Sequence, residues 1–173
     1  MRTALALTVL LASINQAAAW GFVAHRIITE NCVAAMPPAM APFYKAAAKT
    51  LSDASIEPDS ILKARAGERE KRRHYIDLDE LSSPPFGDLP FDEEKARAVY
   101  GDGRVDAAGT LPWRIVGVLE ELRDAFRKKD WEKVISRSGW LSHYVADAYQ
   151  PLHTTKNHDG QETCNTGVHM AFE

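Results

Sequence analysis

A helical stripe of apolar residues, Ile115, Val118, Leu119, Leu122 and Phe126, runs through Leu111–Lys129 and constrains this chain more than any other feature. Residues spaced i, i+3, i+4, i+7 line one face of a 3.6-residue helix, and that face needs an apolar partner. A second long helix is predicted from Trp131 to Tyr149, ended by Pro151. Shorter helices are predicted at Val23–Met36, stopped by Pro37 and Pro38, and at Ala39–Leu51, with Pro42 near its start. Others are predicted at Asp59–Lys71 around Ile61 and Leu62, and at Phe91–Tyr100 behind Asp92. His74–Asp79 alternates like a short strand, but no partner strand pattern occurs elsewhere. Ser82–Pro90 holds three prolines and a glycine and is a loop, as is the polar stretch Thr154–Gly167. His169–Glu173 opens a further helix. The expected fold class is all-α, and 173 residues suit a single domain.

The first nineteen residues differ from the rest. Arg2 precedes an apolar stretch from Thr3 to Leu11, and Ala17 and Ala19 stand at the −3 and −1 positions of a signal-peptidase site. Met1–Ala19 is therefore expected to be a signal peptide, with a mature chain beginning at Trp20 in the periplasm or outside the cell. The net charge of −3 argues against a protein that coats nucleic acid. Two cysteines, Cys32 and Cys164, either pair in that oxidising compartment or stay free, and with no C-x-x-C motif a thiolate zinc site is excluded.

The chemistry lies in the histidines. His143 and Asp147 are four apart on the second long helix and project from one face, and His153 follows just past Pro151. A histidine and a carboxylate at i, i+4 can grip one metal ion, and His169 with Glu173 repeats that spacing. Taken singly, such a pair is more often a surface or core feature than a ligand set. Imidazoles and carboxylates without thiolates suit catalytic zinc better than structural zinc.

These pieces form a series: W-x4-H (Trp20, His25), D-x14-H (Asp59, His74), H-x3-D-x5-H (His143, Asp147, His153) and H-x3-E (His169, Glu173). In order and in most spacings the series resembles the zinc-dependent phospholipase C superfamily, which includes the single-strand-specific nucleases of fungi and plants. WGFVAHR, RRHYIDLD and HYVADAYQPLHTT look closest to bacterial phospholipase C-type members. The resemblance implies a multi-helical bundle around three zinc ions. Asp59, His74, His143 and Asp147 would hold the first; His153, His169 and Glu173 the second. The α-amino group and carbonyl of Trp20, with His25 and a shared Asp147, would hold the third. Signal cleavage would then create a ligand, since a metal can displace the proton of an α-amino group.

Asp59 and Asp147 are the expected catalytic carboxylates, and zinc-activated water would attack the phosphorus of a phosphoester. Two substrate classes follow: a phospholipid headgroup ester, or a nucleic acid or nucleotide. Glu173 favours the phospholipases, because the nucleases carry Asp there, whereas the short Trp20-to-His25 spacing is nuclease-like, with Ala24 in place of their usual Gly. The reading implies a monomer with no standing nucleic-acid partner and, for a lipid substrate, a passing contact with a membrane surface. A non-catalytic zinc-binding helical protein is the reading from another class. Family members continue well beyond the position of Glu173, so the domain 20–173 is expected to be C-terminally incomplete.

Other residues carry weaker expectations. Asp53 competes with Asp59 as a ligand, but the 15-residue offset to His74 favours Asp59. Asp77 and Asp79 either orient neighbouring ligands or are ordinary loop acids. His158 is expected to be a solvated loop histidine, and Trp113, Trp131 and Trp140 are expected in the core.

Overall fold

A computed structural model describes residues 21–172, and it is helical throughout, with no strand among the described residues. The predicted leader Met1–Ala19 and the predicted ligands Trp20 and Glu173 lie outside the described residues. None of the helices described is long and apolar enough to cross a membrane.

Two 18-residue helices, α9 (Leu111–Lys128) and α10 (Trp131–Ala148), pack along each other and form the spine. The turn between them is short. Lys129 adopts the left-handed conformation, and the Asp130 side chain accepts the Lys133 N–H to start α10. The stripe on α9 buries Val118 completely and Leu122 nearly so, against Val134 and Tyr144 of α10 among others. Leu119 and Phe126, at the margins of the stripe, stay partly exposed.

On its other side α10 receives α1 (Phe22–Ala34), α2 (Ala41–Ala46) and α3 (Ala48–Ala54). Thr29 and Ser142 share a 2.8 Å hydrogen bond, and Tyr44 and Ser138 one of 2.9 Å. Arg26 donates to Asp53 at 2.6 Å, which ties α1 to α3 and accounts for Asp53 as a structural acid. At Gly139 the backbones of α10 and α3 approach closely. A Cβ there would lie 2.7 Å from Ala54 Cβ and 2.9 Å from the Leu51 carbonyl oxygen.

Several predicted helices are more broken than their sequence pattern suggests. Ala39–Leu51 splits at Ala47 into α2 and α3. Asp59–Lys71 becomes a π-helical turn (Pro58–Leu62), α4 (Lys63–Ala66) and α5 (Glu68–Lys71), parted at Gly67 with φ of 55°. A 3-10 turn (Arg72–His74) follows, then an extended passage and α6 (Leu78–Leu81). The strand-like alternation of HYIDLD is explained by that passage. Ile76 N–H donates to the His153 carbonyl and Leu78 N–H to that of Thr154, while Asp77 N–H donates to Ala108.

α7 (Glu93–Tyr100) starts at Asp92, whose side chain accepts the Lys95 N–H as expected. α8 (Asp102–Ala108) was not legible, because glycines at 101, 103 and 109 mask a seven-residue helix whose Val105 and Ala108 are fully buried. A 3-10 turn (Pro151–His153) and α11 (Val168–Phe172) complete the described chain. Trp113 is buried and Trp140 half-buried, but Trp131 is a correction. It is half exposed at the first position of α10, lying against Phe43 and Phe126. Cys32 and Cys164 are both exposed and unpaired.

Gly139→Ala is expected to push α3 off α10 and to destabilise the fold by about 1–3 kcal/mol, as overpacking does. Chemical denaturation of the two proteins checks it; equal midpoints would contradict the close approach.

Candidate metal centre

Six side chains meet between α1, α10 and the two short turns: His25, Asp59, His74, His143, Asp147 and His153. All six are buried, with Asp147, His143 and His25 at 0% exposure. α10 contributes His143 and Asp147 from one face, as their i, i+4 spacing dictates. Asp59 comes from the π-helical turn, whose lead-in is held by Trp140 donating to Glu57 at 2.8 Å. His74 ends the first 3-10 turn and His153 the second.

Four atoms able to bind a metal lie close to one another. His74 Nδ1 is 2.9 Å from Asp147 Oδ2, 3.0 Å from His143 Nε2 and 3.5 Å from Asp59 Oδ1. His143 Nε2 is 3.3 Å from Asp147 Oδ2 and 3.9 Å from Asp59 Oδ1. Zinc–ligand bonds of roughly 2.0–2.2 Å in a tetrahedron require ligand atoms about 3.3 Å apart. These separations bracket that value, and the buried side chains form two three-residue groups that could hold an ion, His74 with His143 and Asp147, and Asp59 with His25 and His143.

The two carboxylates also face a second position. Asp147 Oδ1 is 3.5 Å from His25 Nε2 and 3.7 Å from His153 Nδ1. Asp59 Oδ2 is 3.9 Å from His25 Nε2 and has no hydrogen-bond donor. A buried carboxylate oxygen without a donor needs a reason, and a cation supplies one. The His25 ring stacks on His143 at 3.8 Å, which places the two positions side by side. The ring of His169 lies 5.3 Å from that of His153, so the predicted second-ion pair is adjacent, at the edge of the cluster. His158 is exposed, with its ring 5.8 Å from His169, as a loop histidine should be.

Surrounding groups orient the clustered side chains. His143 Nδ1 lies 2.8 Å from the Ser55 carbonyl. A carbonyl only accepts, so Nδ1 carries the proton and Nε2 presents its lone pair to the cluster. On the far side of His74, Nε2 faces the buried carboxylate of Glu70 at 3.9 Å. Glu70 is fixed in turn by the Tyr144 hydroxyl and by Arg73 at 2.8 Å. Burial, with Glu70 alongside, pushes the Tyr144 hydroxyl well above its ordinary range, so it stays a donor. Asp79 accepts from Thr155 Oγ1 and the Lys156 N–H, and so anchors the loop after His153 instead of a ligand. Asp77 takes no part in the cluster; burial and its acidic neighbours raise its carboxyl to about 7.

Lys63, Glu70, Tyr144 and the Ser55 carbonyl are absent from the sequence reading. Lys63 stands four residues after Asp59, and its ammonium lies 2.5 Å from Asp59 Oδ1. Glu70 stands four residues before His74. Both relations are visible in the sequence as i, i+4 spacings, but nothing there shows that these acids are buried. Comparison of the chain with family models, curated proteins and solved structures finds no match.

Burial holds His74 well below the ordinary imidazole value of 6.5, and Lys63 reinforces it. Burial likewise lowers His143 to about 4, against the opposing pull of Asp59. Below pH 6.5 the unfolded chain takes up protons that these two rings refuse in the fold, so folding is favoured less as the pH drops. Without metal, stability is expected to be full above pH 6.5 and to decline steadily down to about pH 4. Urea melts in chelator across that range check it, and a flat profile would contradict the buried neutral rings.

Proposed function

We propose that this chain is a secreted, zinc-dependent phosphoesterase of phospholipase C type. The observation that carries the reading is the buried cluster, in which Asp147 turns one oxygen to His74 and His143 and the other to His25 and His153. Buried carboxylates and imidazoles at these separations could hold metal ions. The residues fit zinc in donor type and spacing, and the order of motifs supports the phosphoester chemistry.

In this reading Asp59, His74, His143 and Asp147 hold one ion, and His25 with Asp147 and the Trp20 terminus another. His153, His169 and Glu173 hold a third. Zinc at such sites lowers the pKa of a bound water toward about 7 and offsets the charge of a phosphoester. The protein groups do the rest. Ser55 fixes the tautomer of His143, and Glu70 backs His74. Lys63, with its side chain 20% exposed, brings a cation to the rim of the cluster. Asp147, which faces His74 and His143 with one oxygen and His25 and His153 with the other, would be the carboxylate shared between ion positions.

A lipid substrate is supported by what the ligand-bearing elements expose. Phe22, Val23 and Ile27 project from α1, Val145 from α10, and Met170 and Phe172 from α11. Apolar side chains exposed on the elements that carry the cluster suit a lipid interface. One observation favours the nuclease or nucleotidase reading: Tyr149, two residues beyond Asp147, is 81% exposed, and an open ring can stack a base.

The full mature chain, zinc-loaded, is expected to release headgroup from phosphatidylcholine vesicles, to stop in EDTA and to recover with zinc. His143→Ala should lose zinc and lower kcat/KM by more than about 100-fold, beyond what changes outside the ligand shell cost. Faster cleavage of single-stranded DNA, with Tyr149→Ala raising KM, would overturn the lipid assignment in favour of the nuclease. Zinc bound with no turnover on either substrate would make the chain a non-catalytic zinc protein. Elemental analysis bears on Trp20: about three zinc per chain are expected with a free N-terminus at Trp20, and one fewer with a residue added before it.

A further inference from the structure

A cavity of ≈ 320 Å³ opens between α5, α7, α8 and the start of α9, on the far side of Glu70 from the histidine cluster. That volume is at the lower end for small-molecule sites. Five arginines line it (Arg69, Arg72, Arg73, Arg97 and Arg114), against two carboxylates, Glu93 and Asp106. So many guanidinium groups in one recess are unexpected in a chain with net charge −3.

Carboxylates reach four of these five arginines, but they occupy only part of each guanidinium's donor set. Asp106 is clamped between Arg72 Nη1 at 2.6 Å and Arg97 Nη1 at 2.9 Å, and Arg97 also meets Glu93 at 2.7 Å and Asp102 at 3.3 Å. Arg73 and Arg114 are held from behind, by Glu70 at 2.8 Å and Glu121 at 3.1 Å. Glu121 is shared with Arg137. Arg69 forms no ion pair with any described residue. Each guanidinium has five donors in a fixed fork, and Arg72 and Arg73 spend only one nitrogen each on their carboxylates. The unused forks are what tetrahedral oxyanions take up in pairs.

We infer that this arginine-lined cavity is an anion site, separate from the metal centre, for a compact ligand carrying two or more phosphate groups. Arginines come to it from α5, the 3-10 turn, α7 and α9, which offers guanidinium forks for more than one oxyanion. The site offers no open ring for a base: Trp113 is 7% exposed and its N–H is given to the Pro90 carbonyl at 3.1 Å. Oligophosphate, not a nucleotide base, is thus what the walls recognise.

The test uses inorganic pyrophosphate and the full chain as purified, whether or not it carries zinc, so this inference and the zinc reading can fail separately. Titration calorimetry in physiological salt is expected to show one pyrophosphate per chain. Arg69→Ala, which removes an exposed side chain that holds no described partner, should weaken binding about tenfold. Arg65→Ala, an exposed arginine outside the cavity, should change it less than twofold. No binding at millimolar pyrophosphate would overturn the site. So would binding that Arg69→Ala leaves intact, because the ligand would then sit elsewhere.

Discussion

The carboxylate of Asp147 is the constraint on which the rest of this structure depends. It is fully buried in the middle of a helical bundle, where an ionised carboxylate is tolerated only if strongly compensated. Compensation comes from four imidazoles drawn from four parts of the chain. His143 comes from the same helix, His25 from α1, and His74 and His153 from two turns that share backbone hydrogen bonds through Ile76. Holding these rings around one acid dictates much of the path of the chain. The extended passage after His74 runs beside the turn at His153 because each helps to place the other's imidazole. Two buried acids ringed by imidazoles make a poor core for a protein with no further use for them, and such a group could hold a metal ion.

The scaffold achieves this by close backbone approach. Gly139 lets α3 touch α10 one turn before His143, which brings the Ser55 carbonyl to the His143 ring and delivers Asp59 just beyond. The π-helical turn at Asp59 is irregular in the way that functional segments of helices often are. Behind His74, the Glu70–Tyr144–Arg73 contacts form the wall between the metal centre and the arginine cavity. One element, the stretch from α5 through the 3-10 turn, therefore supplies a histidine to the buried cluster and arginines to the cavity.

Much of this was legible in the sequence, and the limits have physical causes. The stripe on α9 and the His143–Asp147 pair on α10 were readable because helical periodicity is local. Asp59 over Asp53 was readable from spacing, and the structure gives the reason: Asp53 serves Arg26 and Lys49. The breaks at Ala47 and Gly67 were not readable, since Ala-rich and charged stretches favour helix and tertiary packing imposed the interruptions. α8 was hidden by its glycines, two of which bound it with positive φ. Trp131 was misplaced because a residue at the first turn of a helix can lie on its apolar face and still sit at the end of the bundle. The stacking of His25 on His143 joins residues more than a hundred apart, and the contact of His74 with Asp147 joins residues 73 apart. No local pattern encodes them.

The central claim is that these side chains hold zinc at two adjoining positions set by Asp147. Anomalous diffraction at the zinc edge, from crystals of the mature chain grown with zinc, tests it most directly. The account predicts a peak among His74 Nδ1, His143 Nε2, Asp59 Oδ1 and Asp147 Oδ2, and a second beside His25 and Asp147 Oδ1. Both peaks should vanish in Asp147→Asn crystals of the same form. Peaks confined to surface histidines such as His158, or none at all, would contradict it.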